Sequence, residues 1–286
     1  MPWYELESAN DPRLDELAAQ YHLHPLHIED CRSEHESVKV DTTPSYTFAV
    51  FRPVHLNGEP VFTTIDIFAG KDFFITIAEP DCPASAEALA RARRDGSDDN
   101  PARLLYLVLD TIVDLYFPAI DQFDDRMDDL EDKVIDSPSP EILQSVFALK
   151  RELIDLRRVL VNTRDASLRL QRDPGSVVDA EYQPYIRDIY DHIVRLLDSV
   201  ETQRDLLNNT LDIYLSSVAN RTNEVMKVLT VVGTIALPVI AISGIYGMNL
   251  KGLPFESSPN GGLYVGGMTV LCTALLLAVL RKLRWL

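Results

Sequence analysis

One set of residues stands at spacings of three and four: Asp212, Leu215, Ala219, Asn223, Met226, Leu229, Gly233, Leu237, Ile240 and Gly244. On a helix these share one face, polar at its start and apolar afterwards. Such a face suits the wall of a narrow pore: rings of Asp and Asn hold a hydrated cation, and Met226 and Leu229 form a constriction that dewets when closed. The same periodicity belongs to any helix–helix packing face, so spacing alone admits both readings.

Other chemistry-bearing residues are less ordered. His22, His24, His27 and His35 fall within the first 35 residues, and Cys31, Cys82 and Cys272 show no CxxC spacing. The histidines are candidates for Zn²⁺ or ordinary surface and core residues; no cysteine ligands accompany them, and neither a zinc centre nor a disulfide framework is expected. Seven of the twelve residues from Asp121 to Asp132 are acidic, which reads as a solvated helix face or as a loose counter-ion reservoir. No P-loop, GxSxG or HExxH occurs, so neither an enzyme nor a nucleotide-driven pump is expected.

A formal net charge of -17 argues against nucleic-acid binding, which needs clustered Lys and Arg, and suits a protein that attracts cations. That charge lies almost wholly before Val228. From Val228 to Leu250 there are 23 residues without a charge, and from Ser257 to Leu280 another 24. Each run is long enough to cross a hydrocarbon core of about 30 Å. Met1–Asp11 holds no basic region followed by an apolar stretch, so no cleavable signal peptide is expected.

The elements that must carry these residues follow in order. A short helical pattern runs from Leu14 to Glu36. Three β-rich runs, Ser45–Val54, Val61–Phe68 and Asp72–Ile77, are divided by Asn57-Gly58 and Gly70-Lys71, a meander packed on helices. After a linker at Asp95–Pro101, two long helices are predicted over Arg103–Ile135 and Pro140–Gln171, with Asp136-Ser137-Pro138-Ser139-Pro140 as a stop and a new start.

From Pro184 there is no Gly until Gly233 and no Pro until Pro238, and nothing stops a helix before Gly247. A continuous helix of about 63 residues would extend roughly 95 Å. Ile186, Ile189, Ile193, Leu196 and Val200 mark a packed seam on it. Lys227 precedes the first span and Arg281, Lys282 and Arg284 follow the second, so both termini are expected in the cytoplasm. Tyr264 and Trp285 read as interfacial anchors. Two spans cannot enclose a polar path, so a conducting assembly must be oligomeric.

The runs Leu211–Val218, Thr222–Thr230 and above all Gly244-Ile245-Tyr246-Gly247-Met248-Asn249 resemble the CorA magnesium/cobalt transporter family, whose signature is Gly-Met-Asn after the first of two C-terminal spans. His24-Pro25-Leu26-His27-Ile28-Glu29-Asp30 and Tyr185–His192 extend the likeness into the soluble part. The fold class expected is α+β: a cytoplasmic α/β domain over residues 1–100, an acidic helical hairpin over 101–175, the cytoplasmic stalk over 180–227, a pore-lining span at 228–248, an outer loop at 249–261, a second span at 262–280 and a basic tail at 281–286.

The resemblance implies a funnel-shaped homopentamer in the cell membrane, in contact with lipid. It implies a selectivity filter of Gly247, Met248 and Asn249, and a pore lined by Asp212, Asn223, Met226, Leu229, Gly233, Leu237, Ile240 and Gly244. Asp30 and Asp188 are implied to hold a regulatory cytoplasmic Mg²⁺ between neighbouring subunits; Mg²⁺ is both regulator and cargo, and no organic cofactor is called for. An amide ring at Asn249 can hydrogen-bond the waters of Mg²⁺, which gives them up reluctantly, and so recognise the hydrated ion by size. The sequence departs from better-known members at Leu237 and Ile240, where Met- and Thr-like residues are expected, and at Lys251, which sets a positive ring near the pore mouth. The related ZntB proteins, associated with zinc, vary the middle residue of the signature, and Met248 favours the magnesium branch. The remaining alternatives are a zinc or proton-coupled carrier and a membrane-tethered scaffold or sensor.

Overall fold

The computed structural model describes residues 1–33, 37–57, 59–79, 82–95, 100–173, 175, 177–248, 252–255 and 258–282. They form two compact units, Met1–Asp212 and Ile213–Leu286.

In the first unit, β1 (Trp3–Leu6), α1 (Pro12–Tyr21), α2 (Pro25–Arg32), β2 (Lys39–Thr42), β3 (Tyr46–Phe51), β4 (Val54–Asn57), β5 (Glu59–Phe62), β6 (Ile65–Gly70) and β7 (Phe74–Ala78) precede three helices. These are α3 (Pro83–Asp95), α4 (Pro101–Asp136) and α5 (Pro140–Arg172). A five-stranded sheet runs β1-β7-β6-β3-β2, antiparallel except for the β1–β7 pair; β4 and β5 form a separate hairpin. The period of two in the strands sorts its side chains. Phe48, Val50, Phe68, Ile75 and Ile77 meet Leu14, Leu17 and Ile28 of α1 and α2. Ala49, Phe51, Ile65, Ile67 and Phe74 join the larger core with the helices that follow.

The first unit departs from the predicted runs in several places. β2 precedes all of them, and Ser45–Val54 ends in the separate β4–β5 hairpin rather than in β3. Val61–Phe68 is two strands in different sheets, because the chain breaks pairing at Thr63-Thr64, where the Thr63 amide donates to Pro53 O at 3.0 Å. β1 was not anticipated; its four residues carry no readable alternation and acquire their partner only from β7, in register Trp3 with Phe74. Nor was α3: its buried stripe is Ala84, Ala88 and Ala92, which lets it lie close on α4 without a large apolar signal. The turn at Gly70 is as read. Its amide donates to Phe73 O at 2.9 Å, and a Cβ there would lie 2.2 Å from the Phe73 ring. Asn57 pairs with Glu59 across the hairpin, and Gly58 lies outside the described residues.

The stop-and-start between α4 and α5 has its chemistry on view: α4 ends at Asp136, Ser139 Oγ accepts from the Ile142 amide, and Pro140 fills the first helical position. Asn100 caps α4 by accepting from Ala102 N and Arg103 N. In the acidic run, Phe123, Met127 and Leu130 turn inward while Asp121, Asp125, Asp128, Asp129 and Asp132 face solvent. Asp124 accepts from Gln203 Nε2 at 2.8 Å and Glu131 from Thr210 Oγ1 at 3.0 Å. The run is thus a solvated face with two acids tied to the helix beginning at Gln183, and no group of three metal-ligating side chains forms there or elsewhere among the described residues.

That helix is α6 (Gln183–Gly247), 65 residues, followed by α7 (Gly261–Lys282). Ile186, Ile189, Ile193, Leu196 and Val200 are buried in the larger core of the first unit. Arg157 pairs with Glu201 at 2.5 Å, and Arg126 holds Glu152 through both oxygens at 2.5 and 2.9 Å, which clamps α5 to α6 and α4 to α5.

On α2, His27 is buried and stacked on Phe48, and Tyr46 Oη accepts from His24 N at 2.8 Å. The Tyr46 proton is then available to His27 Nδ1 at 2.9 Å, which leaves the imidazole proton on Nε2, 3.8 Å from Asp41. Burial holds this imidazole below the ordinary histidine range, with Asp41 acting in the opposite sense. Folding therefore favours neutral His27: its contribution is complete above the unfolded value of about 6.5 and is lost as pH falls through the lower folded value. The thermal midpoint of the full-length protein is expected to drop on acidification below about pH 6.5. His27→Gln should flatten that part of the slope; an unchanged slope would assign it to other groups.

Candidate functional site

The second unit holds the C-terminal part of α6 and all of α7, both long and apolar enough to cross a membrane. Its half-covered residues on α6 include Val231, Thr234, Ile235, Ala236, Pro238, Ile242 and Tyr246; on α7 they include Val265, Thr269, Thr273, Leu276 and Leu277, with Leu280 buried. Both sets stand at helical spacing. The residues of the expected pore face are a different stripe: Asn223, Met226, Leu229, Gly233, Leu237, Ile240 and Gly244 are all exposed. Asp212, the last residue of the first unit, is exposed as well.

Met226, Leu229, Leu237 and Ile240 are 55–67% exposed, a row of bare apolar side chains in an isolated chain. The hydroxyls of Thr222, Thr230 and Ser243 donate to the carbonyls four residues back, at 2.9, 2.8 and 2.6 Å, so the apolar segment presents few hydroxyl donors of its own. Beyond α6 the chain is fastened locally. Tyr246 Oη donates to Pro254 O at 2.9 Å, and Phe255, at a φ of 66°, stacks on Tyr264 with ring centroids 5.1 Å apart. A Cβ on Gly261 would lie 2.3 Å from Phe255 O, so that close approach needs glycine. Asn249 and Lys251 lie outside the described residues, as does Trp285; Gly247 and Met248 close the described part of the signature.

Within one chain, nothing at Gly247 requires the absence of a Cβ. This glycine is the last residue of α6, a Cβ would meet nothing within 4 Å, and its φ is not left-handed. Gly247→Ala is therefore expected to leave secondary structure and thermal stability within ~0.5 kcal/mol of wild type. A loss of flux in that mutant would then point to contacts between copies rather than to the fold of one chain. Circular dichroism melts of the mutant and wild type in the same detergent check this, and a large drop in the mutant would show that the end of α6 does need glycine.

Asp30 and Asp188 are not brought together within one chain by any contact seen among the described residues. Asp188 lies on α6 with its side chain 55% exposed, and His192 Nε2, one turn on, stands 3.8 Å from its Oδ2. Asp30 sits near the end of α2, where Lys39 Nζ of β2 donates to its Oδ2. Both donors are carboxylate oxygens, the chemistry Mg²⁺ takes, but one of them already carries a cation. Lys39 was not singled out in the sequence: a lysine nine residues from Asp30 on a short strand has no periodic signal, and only the β2–β3 register, Lys39 with Val50, sets its position.

The family described as CorA-like Mg²⁺ transporter protein matches residues 1–282. The cobalt/magnesium transport protein CorA of Thermotoga maritima is 34% identical over 270 residues, spanning 92% of this chain and 77% of that protein. The complete structure of the CorA magnesium transporter from Methanocaldococcus jannaschii superposes with a TM-score of 0.83 at 25% identity, covering 99% of this chain and 91% of that one. The cytoplasmic domain of ZntB from Vibrio parahaemolyticus shares the fold at 15% identity, with a TM-score of 0.62 over 77% of this chain and 88% of its own.

Proposed function

The chain belongs to the CorA-like Mg²⁺ transporter family, and we propose on that footing that it is a passive, gated channel for divalent cations. Mg²⁺ is its principal cargo, with Co²⁺ and Ni²⁺ also carried. The observation that supports this most directly is that the expected pore face of α6, where polar Asn223 gives way to Met226, Leu229, Leu237 and Ile240, is left uncovered in the single chain, as are Val225, Val228 and Val232 beside it. An apolar row that its own chain leaves bare is the surface through which copies of a short two-span subunit enclose a path.

In this reading the assembly is a funnel-shaped homopentamer in the cell membrane with both termini cytoplasmic. Lys227 before the first span and Arg281 and Lys282 after the second support that orientation. A hydrated ion meets Asn249 and the Gly247 backbone at the outer mouth, passes the constriction at Leu229 and Met226, and is received by Asn223 and Asp212. The protein performs no catalysis in this scheme. Asp30 and Asp188 of adjacent subunits hold the regulatory Mg²⁺, which neutralises carboxylates that otherwise repel and so favours the closed state.

Flux through the purified protein in liposomes tests the proposal. Mg²⁺ uptake down its gradient, indifferent to an imposed proton gradient, is the expected result. Zn²⁺ transport that requires a proton gradient would favour a carrier of the ZntB kind. Assembled protein that passes no divalent ion would leave a tethered sensor or scaffold.

A further inference from the structure

A cleft of about 540 Å³ opens beside Asp30, lined among others by His24, His27, Lys39, Asp41 and Thr43. Across its floor the charges alternate. Lys39 Nζ grips Asp30 Oδ2 on one side and stands 3.4 Å from Asp41 Oδ2 on the other. Asp41 in turn lies 3.8 Å from His27 Nε2 and 4.0 Å from Arg169 Nη1.

Lys39 is a placed cation. Its strand is paired residue by residue with β3, and its ammonium lies 5.2 Å from the centroid of the Phe48 ring. Its side chain is 28% exposed and that of Asp30 20%, so the pair is partly shielded from solvent. Burial works against the ammonium, but the hydrogen bond and charge of Asp30 and the charge of Asp41 outweigh it and keep Lys39 above its ordinary value.

A divalent ion that takes Asp30 must therefore displace a cation already there. We propose that Lys39 is the protein's own competitor for the regulatory ion. When Mg²⁺ is scarce, the ammonium occupies Asp30 and leaves the α2 side of the sensor neutral. When Mg²⁺ rises, the ion takes the Asp30 carboxylate and the ammonium moves fully onto Asp41, which is already within reach. Lys39 thereby sets the Mg²⁺ concentration at which the sensor fills. This rests on the reading of Asp30 and Asp188 as that sensor.

The test is limited proteolysis of the purified full-length protein across a Mg²⁺ series, read as the Mg²⁺ midpoint of protection. Lys39→Met should lower the midpoint about fivefold, the factor corresponding to an ion pair of ~1 kcal/mol. Lys39→Arg should stay close to wild type. Asp41→Asn, which leaves the ammonium no second partner, should raise the midpoint, and this arm carries the test should Lys39→Met fail to fold. Arg169→Gln removes a positive charge that reaches Asp41 but is seen in no pair with Asp30, and should move the midpoint little.

Equal lowering by Lys39→Met and Arg169→Gln would reduce the effect to general charge and overturn the competition. So would a Lys39→Met midpoint at or above wild type while Asp30→Asn and Asp188→Asn still abolish protection; the sensor reading would then survive alone. Protection unaffected by Asp30→Asn and Asp188→Asn would overturn both.

Discussion

Replacing Asn249 with alanine is expected to bring Mg²⁺ flux below about a tenth of wild type while the oligomer still assembles. On the proposed reading each subunit would lose one amide acceptor for the ion's water shell, and one hydrogen bond is worth ~1 kcal/mol, so a ring of them multiplies the loss. A carboxylate in the same place would bind the ion more tightly and slow its release, which is why Asn249→Asp should also transport poorly but by a different route, through retention. Folding should be spared. The preceding residues make no packing demand: α6 ends at Gly247 with open space around it, and Met248 is 58% exposed. Tracer uptake into liposomes, with the oligomer checked by size-exclusion chromatography, measures both halves of the expectation. Wild-type uptake by a correctly assembled mutant would remove Asn249 from the filter.

Asp188→Asn is expected to shift inhibition by internal Mg²⁺ to at least about tenfold higher concentration, the factor for ~1.4 kcal/mol of lost binding. It should also make the soluble part easier to cleave by protease at high Mg²⁺. The substitution is nearly isosteric, and the side chain it replaces is half exposed with His192 Nε2 3.8 Å away, so the fold has little to lose. Both readouts should therefore report on the ion. If the inhibition curve does not move and Mg²⁺ protects mutant and wild type alike, the sensor lies elsewhere, and the solvent-facing acids of Asp121–Asp132 are the next place to look.

The parts of the molecule legible from sequence are those whose signal is periodic or exclusive. The seam from Ile186 to Val200 repeats at three and four and is buried as that repeat requires. The Ser139-Pro140 start of α5 and the uninterrupted run from Pro184 to Gly247 are matters of which residues stop or start a helix. What could not be read depends on partners remote in sequence. β1 is a strand because β7 lies beside it, α3 is a helix packed through three alanines, and Asp30 is an ion-paired residue because β2 carries Lys39 to it. The same limit holds for the site. The stripe on α6 was visible as a pattern, whereas its separateness from the half-covered stripe at Val231, Ile235, Pro238 and Ile242 emerges only when the second unit is folded.

The character of the stripe between Leu229 and Gly244 bears on how fast different metals should cross. Leu229, Gly233, Leu237, Ile240 and Gly244 have no side-chain oxygen or nitrogen, and the hydroxyls of Thr230 and Ser243 are spent on their own helix. In the proposed pore, a cation between such walls meets no side-chain ligand on this stripe to exchange for its inner waters, so it should travel with its hydration shell whole. The lability of that shell then drops out of the kinetics. Metals that surrender inner-sphere water at widely different rates, but whose hydrated radii are alike, should cross at similar speeds, and any preference among them should reside at the two polar ends of the stripe.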